Sequence, residues 1–489
     1  MPFTYRTIHI TRCRVWAAAV LLLLLYYALL PSANASLRTL QNTFLVWVIP
    51  VLVAAVLYFR GLQAGTEYKF LLAFWFWLWL TRVLNGSPTL FHDFRFFLDS
   101  SLMLPFFALG PALVKTERAR FLDRVCVLLG GLELILGLFA LVVFFRGTES
   151  TLPLIGGTIR TVRDAGAVRI VFFDVSPTVS ACWFLLALFL MVYQFFHCEK
   201  KLWRIPIVLS ASVDLLVIIL SSSKTVLLCV ALACALLVAM LVQQLLKSKK
   251  PVLRVAVMII TAALVLGAVY KGLALGSDAI TVFSDKVRFS AEAEEQGTVP
   301  KEAVRNYESE TARLMPLLSV RHEGAWTPHV LNTEQNNPVP ESSDPSRESF
   351  SRIKLWHGAF QTIAANPSIL WRGHIQDSVM IAAYPFVTTD GTGPMPWQFY
   401  NSPIQVLMTT GLPGLILALV FLMKVLYRGI RFSLCLEVPM DVRTLVIPLL
   451  AMLPYFMLES CLFTTVDLRT LFYFLMCGLA IGFARDFSY

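Results

Sequence analysis

Apolar blocks long enough to cross a bilayer recur from one end of the chain to the other, at 15–32, 41–59, 69–85, 96–114, 124–145, 178–197, 205–222, 225–245, 252–274, 402–425, 443–462 and 470–485. A helix needs about 20 mostly apolar residues to span the hydrocarbon core. The pattern therefore predicts an all-α polytopic membrane protein of about 12 transmembrane helices. Two connections are long, 146–177 and, far longer, the polar segment 275–401. The expected organisation is a membrane domain over 1–274 carrying spans one to nine, a long loop over 275–401, and a membrane domain over 402–489 carrying spans ten to twelve.

The short connections set the expected orientation. Alternate ones hold Arg6, Arg12 and Arg14; Arg60 and Lys69; Lys115, Arg118 and Arg120; Lys200, Lys201 and Arg204; Lys247, Lys249 and Lys250; Lys424, Arg428 and Arg431. The intervening connections at 33–40 and 463–469 are poorer in cations. Lysine and arginine collect on cytoplasmic loops. Both termini are thus expected in the cytoplasm, with 275–401 extracytoplasmic. Arg12, Arg14, an apolar run and Pro31 to Ala35 together resemble a secretory signal; with so many spans following, the segment reads as an uncleaved first span.

The long loop divides by composition. Residues 331–350 are polar and rich in Asn, Ser and Pro, and read as flexible. Asp344-Pro345 then opens a predicted helix over 345–366, which Asn366-Pro367 ends. Helical spacing sets Arg352, Trp356, Ala359 and Ile363 on one face, as suits an amphipathic helix lying on the outer membrane surface.

Composition agrees with a membrane protein: 57% of the 489 residues are hydrophobic and 15% charged. The net charge of +10 follows from the loop cations and requires no nucleic-acid partner. Cys126, Cys182, Cys229, Cys234 and Cys477 sit in apolar blocks, without a C-x-x-C pair, so neither a zinc site nor a disulfide framework is expected. Neither a Walker loop, a G-x-S-x-G elbow, an H-E-x-x-H pair nor a dinucleotide fingerprint occurs, and no cofactor or metal is implied.

Candidate chemistry gathers in the segments expected outside. Lys224 follows Ser221, Ser222 and Ser223 at a span junction; Arg352 heads the amphipathic helix; Arg160, Arg163 and Arg169 lie in the 146–177 connection. Outer cations run against the orientation bias, and a diphosphate ligand would account for them; pairing with local acids or lipid headgroups is the plainer account. Of the outer histidines His92, His322, His329, His357 and His374, His374 stands out because a glycine, a cation and Asp377 adjoin it. Asp99, Glu133, Asp214 and Glu459 fall within predicted spans, where acids are expensive and suggest function. They feed a rival reading, a flippase or transporter, unless they pair with Arg82 or Lys224.

The stretch from Ser351 through Arg352, Trp356, Ala359, Asn366-Pro367 and Gly373, followed by Tyr400-Asn401 and then Gly411-Leu412-Pro413-Gly414, resembles the O-antigen ligase/polymerase superfamily. Its pattern runs roughly R-x-x-x-W-x-x-A, a Pro and a Gly, then H-N-x-x-L-x-x-L-x-x-x-G-x-x-G entering a span. Ser222-Ser223-Lys224 resembles the family's S-R-G element, and the likeness covers about 205–425. It implies a GT-C-like, metal-independent membrane glycosyltransferase of the bacterial cytoplasmic membrane. Such an enzyme moves a glycan from an undecaprenyl diphosphate carrier to a glycan or lipid acceptor hydroxyl, in polymerisation or ligation of a surface polysaccharide. Membrane lipids and other polysaccharide-assembly proteins would be its partners. Carried over, Arg352 and Lys224 bind diphosphate, helped by Arg160, Arg163 or Arg169, while Arg352, Tyr400, Asn401 and His374 form the catalytic set.

Two positions depart from the family. Tyr400 fills the histidine slot, and a phenol of ordinary pKa about 10 is a poor base at neutral pH. Lys224 replaces an arginine, keeping charge but losing the bidentate fork. Either His374 or Tyr400 could serve the acceptor. The Gly411–Gly414 element reads equally as close packing and as a bend that turns Tyr400 and Asn401 toward a groove.

Overall fold

The structure is a computed structural model that describes residues 2–29, 65–86, 100–146, 150–151, 158–164, 167–172, 176–284, 346–374, 399–459, 461–463 and 467–487. Expected span 41–59, Asp99, His92, His322, His329 and most of the loop up to 345 lie outside them. Helices α1 (Pro2–Leu29), α2 (Thr66–Leu84), α3 (Met103–Ala112) and α4 (Lys115–Arg146) come first. A three-stranded antiparallel sheet follows, β1 (Ser150–Thr151), β2 (Thr158–Asp164) and β3 (Ala167–Phe172). Then come α5 (Pro177–His197), α6 (Arg204–Leu220), α7 (Lys224–Leu245), α8 (Pro251–Ser284), α9 (Ser346–Ala365) and α10 (Ile369–Arg372). The chain closes with α11 (Ser402–Leu434), α12 (Met440–Arg443), α13 (Val446–Ala451), α14 (Leu453–Leu458) and α15 (Leu468–Asp486).

Among the described residues, eight helical segments are long and apolar enough to cross a membrane: 115–145, 177–197, 201–220, 224–245, 251–279, 402–434, 440–458 and 468–486. Shorter apolar helices occupy Arg14–Ala28 and Met103–Ala112. The protein is a polytopic helical membrane protein, and the sheet at 150–172 is an element that hydrophobic periodicity did not predict. Expected span 443–462 is broken into α12, α13 and α14, with Pro448 and Pro454 inside the stretch.

Side-chain contacts sort the helix termini into two ends. At one end Arg14 pairs with Glu117 (2.8 Å), Arg428 with Glu67 (3.0 Å) and His197 with Asp441 (2.7 Å). There, too, Gln243 donates to the Leu434 carbonyl (2.7 Å) and Arg118 donates to the Gly110 carbonyl (2.8 Å) while pairing with Asp486. At the other end Ser223 meets Thr178 (3.2 Å), Ser277 meets Ser222 (2.9 Å), and Ser402 donates to the Glu459 carbonyl (2.6 Å). The first set joins the segments rich in Lys and Arg. The second joins the start of α5, the α6–α7 junction, the end region of α8 and the starts of α11 and α15. Three helices begin at this second end with side-chain caps: Ser176 on Val179 N–H, Asn401 on Ile404 N–H and Asp467 on Thr470 N–H.

Glycine permits the closest approaches. A Cβ on Gly110, Gly478 or Gly482 would run into the backbone of the facing helix, so α3 and α15 touch through their main chains. At Gly411 helix α11 breaks, with φ 67 and ψ −175, a region open essentially to glycine alone. The break and Pro413, which has no N–H, strand the carbonyls of the preceding turn. Neighbours satisfy them: His374 N–H donates to the Met408 carbonyl (2.9 Å) and the Trp77 indole to the Thr410 carbonyl (2.7 Å). Gly373, at φ 67 and ψ −165, packs against Thr409 and Thr410, and Gly411 against Leu370 and Trp371. The Gly411–Gly414 element is thus both a kink and a site of close packing.

Glu133 on α4 and Asp214 on α6 are buried, at 3% and 0% exposure. Gly137, one turn from Glu133, abuts Val213 beside Asp214. Neither carboxylate pairs with Arg82 or Lys224: Glu133 Oε2 and both Asp214 oxygens lack hydrogen-bond partners among the described residues. An orphaned buried carboxyl destabilises by more than about 1 kcal/mol, so Asp214→Leu is expected to raise the melting temperature of the detergent-purified protein. A fall would show that the carboxyl holds a cation or partner in the native bundle.

Candidate functional site at the Asn401 end

The site is organised by the chain that enters α11. Phe399 is buried, and its N–H is accepted by Gln405 Oε1 (3.2 Å) while its carbonyl accepts from the Trp356 indole (2.8 Å). Tyr400 has φ 49 and Ser222 φ 52. These are left-handed backbones that non-glycine residues adopt at a cost and that cluster at functional sites. Both lie at the same end of the bundle. Phe463, at φ 70, is held by ring contacts with Phe74 (4.9 Å) and Phe474 (5.5 Å).

Asn401, 5% exposed, commits its side chain to structure. Its Oδ1 caps α11 on Ile404 N–H (2.9 Å), and its Nδ2 donates to the Met457 carbonyl at the end of α14 (2.9 Å). Ser402 Oγ donates to the Glu459 carbonyl and accepts from Leu462 N–H (3.1 Å). These bonds clamp the start of α11 to the α14–α15 turn.

Helix α9 lies over this clamp. Leu355 and Ala359 are buried in a cluster with Ile369, Phe399 and Met408, flanked by Trp356, Ile363, Tyr400 and Ile404. The face that spacing assigned to the membrane surface therefore packs, at Trp356, Ala359 and Ile363, on the first turns of α11. Arg352 ends up with its guanidinium 5.5 Å above the Tyr400 ring and 3.4 Å from Glu459 Oε1. Its side chain keeps 25% exposure, whereas the Glu459 side chain keeps 7%. So Arg352, Tyr400, Asn401 and Glu459 converge, and Glu459 is a member that sequence spacing did not connect to the others. Its signal was that of an acid near the end of an apolar block.

His374 is placed differently. Its N–H is fixed to Met408, seven residues beyond Asn401, or about 10 Å along the helix. Exposed His357 lies five residues beyond Arg352 on α9, far around the helix from it. Lys224 begins the 22-residue helix α7, is exposed, and forms no ion pair among the described residues. Ser223 donates to Thr178 instead of capping α7, so the first N–H groups of that helix stay available beside the Lys224 charge. The Cys229 thiol approaches the Tyr455 backbone. Five residues back along α7 lies Lys224 and four residues on lies Glu459, so the two end at a similar level. Arg160, Arg169 and Arg163 fall on three of four consecutive rungs of the β2–β3 ladder, paired through the backbone with Val171, Val162 and Val168 respectively. Phe172 at its end meets Ser180 and Phe184 on α5, which puts the ladder at this same end. Among the described residues, no group of three or more His, Cys, Asp or Glu could hold a metal.

The bundle and its polar end define a helical membrane protein with a cationic site at one end. Residues 206–419 match the family described as O-Antigen ligase, which supports a likeness to the O-antigen ligase/polymerase superfamily over this region. No curated protein and no solved structure gives a match. The matched region runs from α6 into α11 and includes Lys224, Arg352, His374, Tyr400 and Asn401. The family match and the helical bundle support a membrane enzyme of surface-polysaccharide assembly.

Proposed function

We propose that this enzyme transfers a glycan from an undecaprenyl diphosphate carrier to an acceptor hydroxyl at the outer face of the bacterial cytoplasmic membrane. The observation that carries the reading is the gathering, at one end of the bundle, of Arg352, of Lys224 with the uncapped start of α7, and of the arginine-bearing β2–β3 ladder. A diphosphate needs such cations and N–H groups, most of all as charge builds on it while it leaves. The opposite end, richer in Lys and Arg on short connections, is then cytoplasmic, and 275–401 is extracytoplasmic. Arg352 and Lys224 hold the diphosphate, with Arg160, Arg163 and Arg169 as helpers. Asn401 sets the geometry of Tyr400 rather than reacting, because both ends of its side chain are engaged.

Deletion of the gene followed by analysis of undecaprenyl-linked material tests this. Accumulated single repeat units mark a polymerase and accumulated long chains a ligase; unchanged lipid-linked pools would sink the proposal. Lys224→Ala is expected to weaken donor binding about tenfold and Lys224→Arg to keep it, since a charge-assisted contact contributes about 1.5–3 kcal/mol. Donor titration of the reconstituted protein measures both. The buried Glu133 and Asp214 favour the second reading, a flippase for lipid-linked sugars. Under it, Asp214→Leu abolishes transbilayer movement of the lipid-linked sugar in proteoliposomes, whereas the transferase reading expects glycan transfer to survive.

A further inference from the structure

We propose that Glu459 is the general base of the transfer and that its pairing with Arg352 makes base activation depend on donor binding. This rests on the transferase reading and adds to it the group that takes the acceptor's proton.

The geometry singles out Glu459 in three ways. It is 5% exposed and sits where the chain turns extended after α14, at φ −138 and ψ 140, so its carboxylate leaves the helix toward Arg352. Its backbone is anchored by Ser402, and the neighbouring Met457 carbonyl by Asn401. The Glu459 backbone is thus held in place relative to Tyr400, the residue in the family's histidine slot. Finally, its contact with Arg352 is loose: 3.4 Å, against about 2.7–2.9 Å for a tight ammonium- or guanidinium-carboxylate bond. A diphosphate presents more charge than one carboxylate and can draw the guanidinium away.

The other proton acceptors nearby are committed or displaced. Asp467 accepts from Arg469 and caps Thr470 N–H. Tyr400 presents its ring face to the Arg352 guanidinium rather than a carboxylate. The His374 backbone is tied two turns down α11. Among the described residues, the charged and titratable groups gathered around Glu459 include Arg352 of α9, Tyr400 before α11, Tyr455 of α14, Cys461 of the next turn, and Arg469 with Asp467 at the start of α15.

In the step this implies, the diphosphate of the donor takes Arg352, and Glu459, with that cation drawn off, gains affinity for a proton. The acceptor O–H gives its proton to a Glu459 carboxylate oxygen as its oxygen bonds to the anomeric carbon. The bond from that carbon to the phosphate oxygen breaks, with its electron pair going to the diphosphate. Undecaprenyl diphosphate departs carrying the added negative charge, and the proton passes from Glu459 to it or to water. Acceptor and donor thereby become glycosylated acceptor and protonated carrier, with nothing else consumed.

The test uses the full chain in proteoliposomes, with lipid-linked glycan purified from the deletion strain as donor. Turnover and donor KM are measured from pH 5 to 9 for wild type, Glu459→Gln, Glu459→Asp, Tyr400→Phe and His374→Ala. Glu459→Gln, nearly isosteric, is expected to lower kcat about 100-fold or more with donor KM changed less than about threefold, and to lose the acidic limb of the pH profile. Glu459→Asp is expected to keep part of the rate and the limb, which guards against misfolding as the cause. A Glu459→Gln enzyme within threefold of wild-type kcat would overturn the proposal. So would an equal loss in kcat and donor binding under an unchanged pH profile, or loss of the limb in Tyr400→Phe or His374→Ala instead. Failure of the transferase reading looks different: wild type itself transfers nothing and the deletion strain accumulates no lipid-linked glycan, and the base assignment then falls with it.

Discussion

Arg352→Ala is expected to abolish long-chain surface glycan while the protein still inserts at normal abundance. Arg352 lies on a helix packed by Leu355 and Ala359 against α11, yet its own side chain stays one-quarter exposed and contributes little to that packing. Removing it is expected to leave the fold intact and, on the proposed role, to take away a charge-assisted contact to the diphosphate. Such a contact to a leaving diphosphate stabilises the transition state by about 2–4 kcal/mol, or about 30- to 1,000-fold in rate. Polymer length and amount on gels, with immunoblot of membranes for abundance, measure the two halves of the expectation. Normal glycan in this variant would remove Arg352 from the diphosphate site. Arg352→Lys separates charge from geometry: retained charge without the planar fork should leave partial activity.

Gly373→Ala and Gly411→Ala are expected to have the largest structural effects. Both glycines hold φ 67 with ψ near 180°, a conformation costing a residue with a Cβ about 1–3 kcal/mol before any contact is counted. Each faces backbone. A methyl on Gly373 would collide with the Thr409 carbonyl, and one on Gly411 would come 2.7 Å from the Trp371 carbonyl. Neither backbone can yield without breaking the His374–Met408 and Trp77–Thr410 bonds that satisfy the kink. The expected result is a loss of about 3 kcal/mol or more, seen as a lower melting temperature and reduced membrane abundance. Gly86→Ala, also at positive φ but with open space around it, is the control and should cost about 1–2 kcal/mol at most. A Gly373→Ala protein as stable as wild type would show that the α10–α11 contact is not held as described.

Local patterns made much of this protein legible. Long apolar runs can satisfy their backbone in a bilayer only as helices, so the existence of α4, α5, α6, α7, α8, α11 and α15 follows from hydropathy, although α4, α8 and α11 extend well past the apolar blocks into polar sequence. The sheet at 150–172 did not follow from it, because its strands alternate weakly and pair across only a few residues. The breaks between α12, α13 and α14 were likewise hidden inside a uniformly apolar block.

Of the site, the amino-acid sequence by itself determined which cations stand at span ends, that Arg352 and Trp356 share a helix face, and that Tyr400-Asn401 opens a span, while the kink at Gly411 came from the structure. Those are relations between residues close along the chain, where helical geometry is enough. Only the tertiary structure decided that Arg352 meets Glu459, 107 residues away, that Glu133 and Asp214 are buried without Arg82 or Lys224, and that His374 anchors a broken helix through its backbone. Contacts between helices depend on which faces pack and at what height. Hydropathy, nearly the same all around these helices, carries no record of either.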